Sequence, residues 1–189
     1  MYMLDYFTQL IKVYDLNTGQ HKFNFLLRNF DKLKQMDFKP GMISLCFGSN
    51  QHLYISISAL HCIQVYDKSG LFKFQFGSEG SNPGQFKGPG KIYLGPNHLL
   101  YIYDHFNNRI QIFDQHGNYH SKIELKNFLN SIFCSFTINS NGLIYLYQRV
   151  RPEIVVLQKK SSQSLYQILA NSLIQTKNKH KKNKILLKK

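Results

Sequence analysis

Alanine is nearly missing from these 189 residues: only Ala59 and Ala170 occur. Alanine is the strongest helix former, so its scarcity argues against a mainly helical fold. Acid is scarce too, with 10 Asp and Glu against 24 Lys and Arg, a formal charge of +14. That balance suits nucleic acid, acidic proteins or an anionic surface and disfavours basic partners. The three cysteines, Cys46, Cys62 and Cys134, lie in apolar runs and form no CxxC pair. An odd number without such spacing gives no disulfide framework, and they read as buried free thiols in a reducing compartment. No apolar run reaches the roughly 18 residues of a membrane span, so no membrane partner is expected. Met1–Leu10 lacks a basic start and carries Asp5, which argues against a secretory leader and for a cytoplasmic protein.

Against these gaps, 43% of residues are apolar, and 15 Phe and 12 Tyr dominate the aromatics. That is a folding composition, and its residue types suit half-buried pleated strands. The charge is uneven. Lys177–Lys189 holds seven lysines and no acid, which leaves 17 basic against 10 acidic groups over 1–176. The lysine-rich tail, 171–189, reads as a solvated disordered end, with a localisation or nucleic-acid role as the alternative.

Internal repeats settle the architecture. Ile11-Lys-Val-Tyr-Asp15, Ile63-Gln-Val-Tyr-Asp67, Ile110-Gln-Ile-Phe-Asp114 and Ile154-Val-Val-Leu-Gln158 share one pattern and start 52, 47 and 44 residues apart. Leu53-Tyr-Ile-Ser-Ile57, Leu100-Tyr-Ile-Tyr-Asp104 and Ile144-Tyr-Leu-Tyr-Gln148 precede three of them at matching offsets. Tyr2, Asp5 and Ile11 sit where Tyr101, Asp104 and Ile110 stand, each shifted by 99, so the repeat frame starts in mid-blade. A period of roughly 40–50 residues is that of a β-propeller blade. Each blade reads as four strands, joined by turns such as Ser69-Gly70, Pro96-Asn97-His98 and Asn139-Ser-Asn-Gly142. The expected fold is all-β: an incomplete propeller of about three and a half four-stranded blades. The partial blade spans 1–28, and whole blades span about 40–77, 89–126 and 131–170 within a unit 1–170. Closed propellers usually carry four to eight blades. Three and a half leave open strand edges, for which self-association is one remedy.

One blade carries a polar signature as well. Gly84-Gln-Phe-Lys-Gly-Pro89, then Ile92, Leu100-Tyr-Ile-Tyr-Asp104, Asn107, Arg109-Ile-Gln-Ile-Phe113 closely resembles the NHL repeat. Gly84, Phe86, Pro89, Asp104, Asn107 and Arg109 are its structural motif, with Ile110, Gln111 and Phe113 also matching. It departs from the repeat at Lys91, Gly95 and His98, where Gly, Asp and Gly are usual. The other blades keep the strands and lose the signature. They place Ile57, Leu60 and Cys62, or Gln148, Arg151 and Glu153, at the Asp104, Asn107 and Arg109 positions, and the first keeps only Asp5. Asp104 and Asn107 bracket a tight connection, and Arg109 is placed to reach back to Asp104 as a charge-assisted pair. The motif therefore reads mainly as blade-locking structure.

Many NHL-type relatives close tripartite-motif ubiquitin ligases. The resemblance implies a non-catalytic scaffold that recognises a protein partner, as the substrate-recognition part of such a system. No RING pattern, phosphate loop, HExxH or GxSxG is present, so no catalytic residue, metal ligand or cofactor is expected. The resemblance also extends to metal-dependent propeller lyases. The eight His do not recur at equivalent blade positions, so that reading ranks last. Function in propellers lies on loop faces. One face gathers Arg28, Lys32, Lys34, Lys39, Lys87, Arg109, Arg149 and Arg151, with Phe106, Tyr6 and Phe7 as exposed aromatics. Basic groups interleaved with aromatics also suit single-stranded RNA, the alternative partner. Arg28–Pro40 has Phe30 and Leu33 at helical spacing, which predicts a short helical turn or packed loop on this face.

Overall fold

The computed structural model describes residues 1–5, 8, 10–35, 43–125, 135–148, 153–159 and 166–173. Fifteen strands, one short α-helix and three single-turn 3-10 helices occur among them. The first sheet is β1 (Tyr2–Leu4), β2 (Ile11–Tyr14) and β3 (His21–Phe25), followed by α1 (Phe30–Gln35). The second is β4 (Ile43–Phe47), β5 (Leu53–Ile57), β6 (Cys62–Tyr66) and β7 (Phe72–Phe76). The third is β8 (Pro89–Leu94), β9 (Leu100–Asp104), β10 (Arg109–Phe113) and β11 (Tyr119–Glu124). The fourth is β12 (Ser135–Ile138), β13 (Ile144–Gln148), β14 (Glu153–Lys159) and β15 (Tyr166–Leu173). Every sheet is an antiparallel meander in chain order. The all-β expectation of a partial blade followed by four-stranded blades holds, while β15 runs to Leu173, past the expected end at 170 and into the stretch read as a disordered tail.

The sheets stack face to face, and strand alternation builds the cores between them. In β5, Leu53, Ile55 and Ile57 point to the first sheet, while Tyr54 points to the third. In β9, Leu100 and Ile102 point back to the second sheet, and Tyr101 and Tyr103 forward to the fourth. Both faces of the middle sheets are covered, so β5, β6, β9 and β10 are buried at every position. β8 touches both β4 and β12, which places the first strands of successive sheets along one axis. Three cores result, one per junction, and four to eight such sheets around an axis is propeller architecture.

The turns explain their residues. Asp67 and Asp114 each cap a hairpin: Asp67 Oδ1 accepts from the Ser69 and Leu71 amides, and Asp114 Oδ1 from the His116 and Asn118 amides. Gly70 and Gly117 then turn at φ 82° and 86°. A Cβ on either would lie 2.6 or 2.9 Å from the rings of Phe25 or Phe76, the last residue of the preceding sheet. Helix α1 fulfils the helical-turn expectation, with Leu33 buried in the core between the first two sheets.

Candidate loop-face site

The connection from β7 to β8, residues 77–88, crosses one end of the second and third sheets. Gly77 enters it at φ 89°, and Phe86 plugs the core beneath, 5.5 Å from the Phe113 ring. Gly84 is needed for its φ of 82°, not for space, since a Cβ there would meet nothing within 4 Å. Pro89 opens β8 opposite Asp104.

Arg109 holds this connection down. Its Nε donates to Asp104 Oδ2 at 2.8 Å, Nη1 to the Ser81 carbonyl at 2.7 Å, and Nη2 to the Asn82 and Gln85 carbonyls at 3.0 and 2.8 Å. Asp104 Oδ2 also accepts from Asn107 Nδ2 at 2.8 Å and Gln111 Nε2 at 3.2 Å, while Oδ1 accepts from the Lys87 amide at 2.7 Å. Gln111 closes the set, donating to the Gln85 carbonyl at 2.6 Å and accepting from the Gly84 amide at 3.0 Å. Asp104 is fully buried and Arg109 is 3% exposed. A buried ion pair is tolerable only with its remaining donors and acceptors met, and here they are met by the loop's own backbone.

That geometry corrects one expectation. Arg109 does not belong to the exposed basic face, because its charge is covered and its donors are spent on Asp104 and three carbonyls. The remaining candidates separate. Lys87 is exposed, and its carbonyl accepts from the Phe106 amide at 3.0 Å. The Gly88 carbonyl accepts from the His105 amide at 3.2 Å, and the Gly88 amide donates to His61 Nδ1 at 3.1 Å. The Phe106 ring, 60% exposed, lies against Gly88, where a Cβ would approach it to 2.7 Å. His105 packs edge-on against that ring at 4.8 Å, and partial burial lowers the His105 pKa. Lys87 and Phe106 thus share one rigid platform. Arg28 and Lys32 lie at the junction of the first two sheets instead. The Arg28 guanidinium sits 4.4 Å above the Phe72 ring, and Lys32 is an exposed residue of α1. Lys39, Arg149, Arg151, Tyr6, Phe7, the side chain of Lys34 and the tail from 174 lie outside what the structure describes.

Gln64 is a member the sequence reading missed. Its Nε2 donates to the Arg28 carbonyl at 3.0 Å, as Gln111 does to Gln85 one blade later. Tyr66 joins it, its hydroxyl bonding Gln64 Oε1 and accepting from the Arg28 amide at 2.7 Å. Burial pushes the Tyr66 phenol up to about 12. The shared Ile-Gln-x-aromatic-Asp string was the signal that could have found this anchor. Burial likewise raises the thiols of Cys46 and Cys62 to about 11, and both are free. Among the described residues no three His, Cys, Asp or Glu side chains converge as a metal site, and no helix is long and apolar enough to cross a membrane.

Stacked antiparallel meanders around an axis, locked by loop-to-strand networks, define a β-propeller. The chain belongs to the 6-bladed beta-propeller family, whose model matches residues 34–188. It is similar to the solved structure of virginiamycin B lyase from Staphylococcus aureus at 16% identity and a TM-score of 0.66. The match covers 93% of this chain and 52% of that one. A streptogramin B lyase aligns at 14% identity and a TM-score of 0.59, over 84% of this chain and 47% of that one. A protein of unknown function from Bacteroides caccae aligns at 13% and 0.53, over 86% and 53%. The chain spans about half the length of these structures, and likeness at such identity is one of fold. No curated protein matches the sequence.

Proposed function

We propose that this chain is a non-catalytic recognition scaffold that binds a protein partner through the loop face centred on Phe106 and Lys87. One observation carries the reading: a large aromatic ring held 60% exposed on backbone that is fixed from both sides. Exposed aromatics on rigid supports are the residues that dominate protein interfaces, because little entropy is lost when they are covered. Within the propeller family we read Gly84–Asp114 as an NHL-type repeat. That supports a place in substrate recognition for a ubiquitin-ligase system. The activity of the lyases is not carried over, since the likeness to them is one of fold.

The test is selection of displayed peptides against the 189-residue chain. Enrichment is expected, with affinity falling about tenfold or more in Phe106→Ala while the unfolding midpoint stays put. Undiminished binding by Phe106→Ala would remove this surface from consideration. RNA is the second reading, favoured by Lys87 beside Phe106, a cation next to a stacking platform. A short single-stranded RNA would then bind with steep salt dependence, weakened by Lys87→Glu.

A further inference from the structure

At the end of the sheets away from Phe106, three hairpins repeat one design. Those joining β4 to β5, β8 to β9 and β12 to β13 close with one backbone bond each. The Gly48 amide donates to His52, Gly95 to Leu99 and Asn139 to Leu143, at 2.9, 2.8 and 3.1 Å. Between the second and third sheets a side chain pegs neighbouring hairpins together. Gln115, from the turn after β10, accepts at Oε1 from the Asn50 amide at 3.1 Å and the Ser49 hydroxyl at 3.3 Å. Its Nε2 donates to the His98 carbonyl at 3.0 Å and to the Ser49 oxygen at 2.9 Å. The peg rests on bare backbone, since a Cβ on Gly48 would lie 2.6 Å from Gln115 Oε1.

The junction of the third and fourth sheets keeps the socket and lacks the peg. The offset of 44 from Ile110 to Ile154 carries Gln115 to Lys159, which is exposed. Gly95 stands where Gly48 does, 47 residues on. Among the described residues, the atoms nearest a Cβ there belong to the Tyr101 ring and to Ile138, and none to Lys159. The space left is a cavity of about 310 Å³, walled by Gly95, Pro96 and Asn97 on one side and Ile138, Asn139 and Ser140 on the other. Cavities of roughly 300 Å³ and above hold small ligands. The backbone at this wall is also strained. The second and fourth hairpins each have one left-handed residue, Gln51 and Gly142, whereas this one has two, Asn97 and His98 at φ 57° and 58°. Such strain at residues other than glycine clusters at ligand sites.

The lining selects the chemistry of the occupant. Among the described residues it holds no Asp, Glu, Lys or Arg, and its one titratable group, His98, is exposed at the rim. An ionic ligand would be desolvated there without a counter-charge. The Asn97 carboxamide and the Ser140 hydroxyl can each donate and accept, so they match a neutral group that does both. Gln115 presents such a group one junction earlier. Pro96 and Ile138 add apolar wall for a short stem. We propose that this cavity binds a primary carboxamide on a short aliphatic stem, a glutamine-like group that takes the place of the missing peg.

The test is an NMR titration of the isotope-labelled 189-residue chain with N-acetylglutamine N-methylamide. Saturable shifts are expected at the Asn97, His98 and Ser140 amides, with the glutamate counterpart binding at least about tenfold more weakly. Lys159→Gln restores the repeat's own peg and should weaken binding by about tenfold with the fold intact. Ser140→Ala should weaken it about fivefold. An alanine-flanked glutamine peptide that binds more tightly than the capped residue marks a protein side chain as the source, and equal binding marks a small amide. Absence of saturable shifts, or glutamate binding as well as glutamine, overturns the proposal. Wild-type affinity in both variants overturns the placement. Phe106→Ala should leave the titration unchanged, so this inference fails or stands apart from the recognition reading.

Discussion

Arg109 shows what one side chain contributes when its geometry cannot be copied. Four of its hydrogen bonds fan out to Asp104 and to carbonyls of Ser81, Asn82 and Gln85. Arg109→Met would leave the Asp104 carboxylate buried without its counter-charge, and breaking a buried pair costs about 3–5 kcal/mol. Arg109→Lys keeps the charge but offers a point donor in place of a planar fork, so it should recover only part of the loss. Urea unfolding of the two variants checks the order. Lysine as stable as arginine would mean that charge alone matters and that the loop carbonyls are incidental. The Asp104–Arg109 pair was legible in the sequence, because both residues flank a short connection. The three carbonyls were not, since the path of residues 78–88 is set by backbone turns that no side-chain pattern spells out. The burial of Arg109 was misjudged for the same reason.

At the scale of elements, strands are readable because period-two alternation and a recurring offset agree, as in Tyr54, Tyr101 and Tyr145. Position within the site is less readable. Gln64 and Gln111 occupy one repeat position and do one job, yet the first blade puts Lys12 there and the fourth Val155. The hairpins after β2 and β6 have a pH signature. The Ser69 hydroxyl, with the Ser69 and Leu71 amides, holds Asp67 below the usual carboxylate range, and Lys22, with the Thr18 and Asn17 amides, holds Asp15 lower still. A carboxylate whose pKa is depressed on folding adds stability above its unfolded value, about pH 4, and loses it as pH falls through the folded value. Thermal midpoints should therefore drop with acid below about pH 4. Asp67→Asn should start lower at neutral pH and fall less steeply. A variant with the wild-type acid slope would show that the cap is not ionised when it acts.

Among the described residues the three cores each join neighbouring sheets, so protection should follow place in the row. β5, β6, β9 and β10 are buried on both faces, whereas β1 and β13 have one face without cover among the described residues. The first and fourth sheets should therefore open without opening the middle two. Their amides should exchange faster than those of β6 and β9, by about tenfold for each 1.4 kcal/mol of difference in local stability. Hydrogen exchange read by mass spectrometry checks this on fragments from all four sheets. A flat profile across the four sheets would mean that the faces of Met3 and Tyr147, 47% and 37% exposed, are covered in solution. A steep one would mean that the four sheets are held by their three internal cores alone, with the blade bearing Arg109 among the best protected.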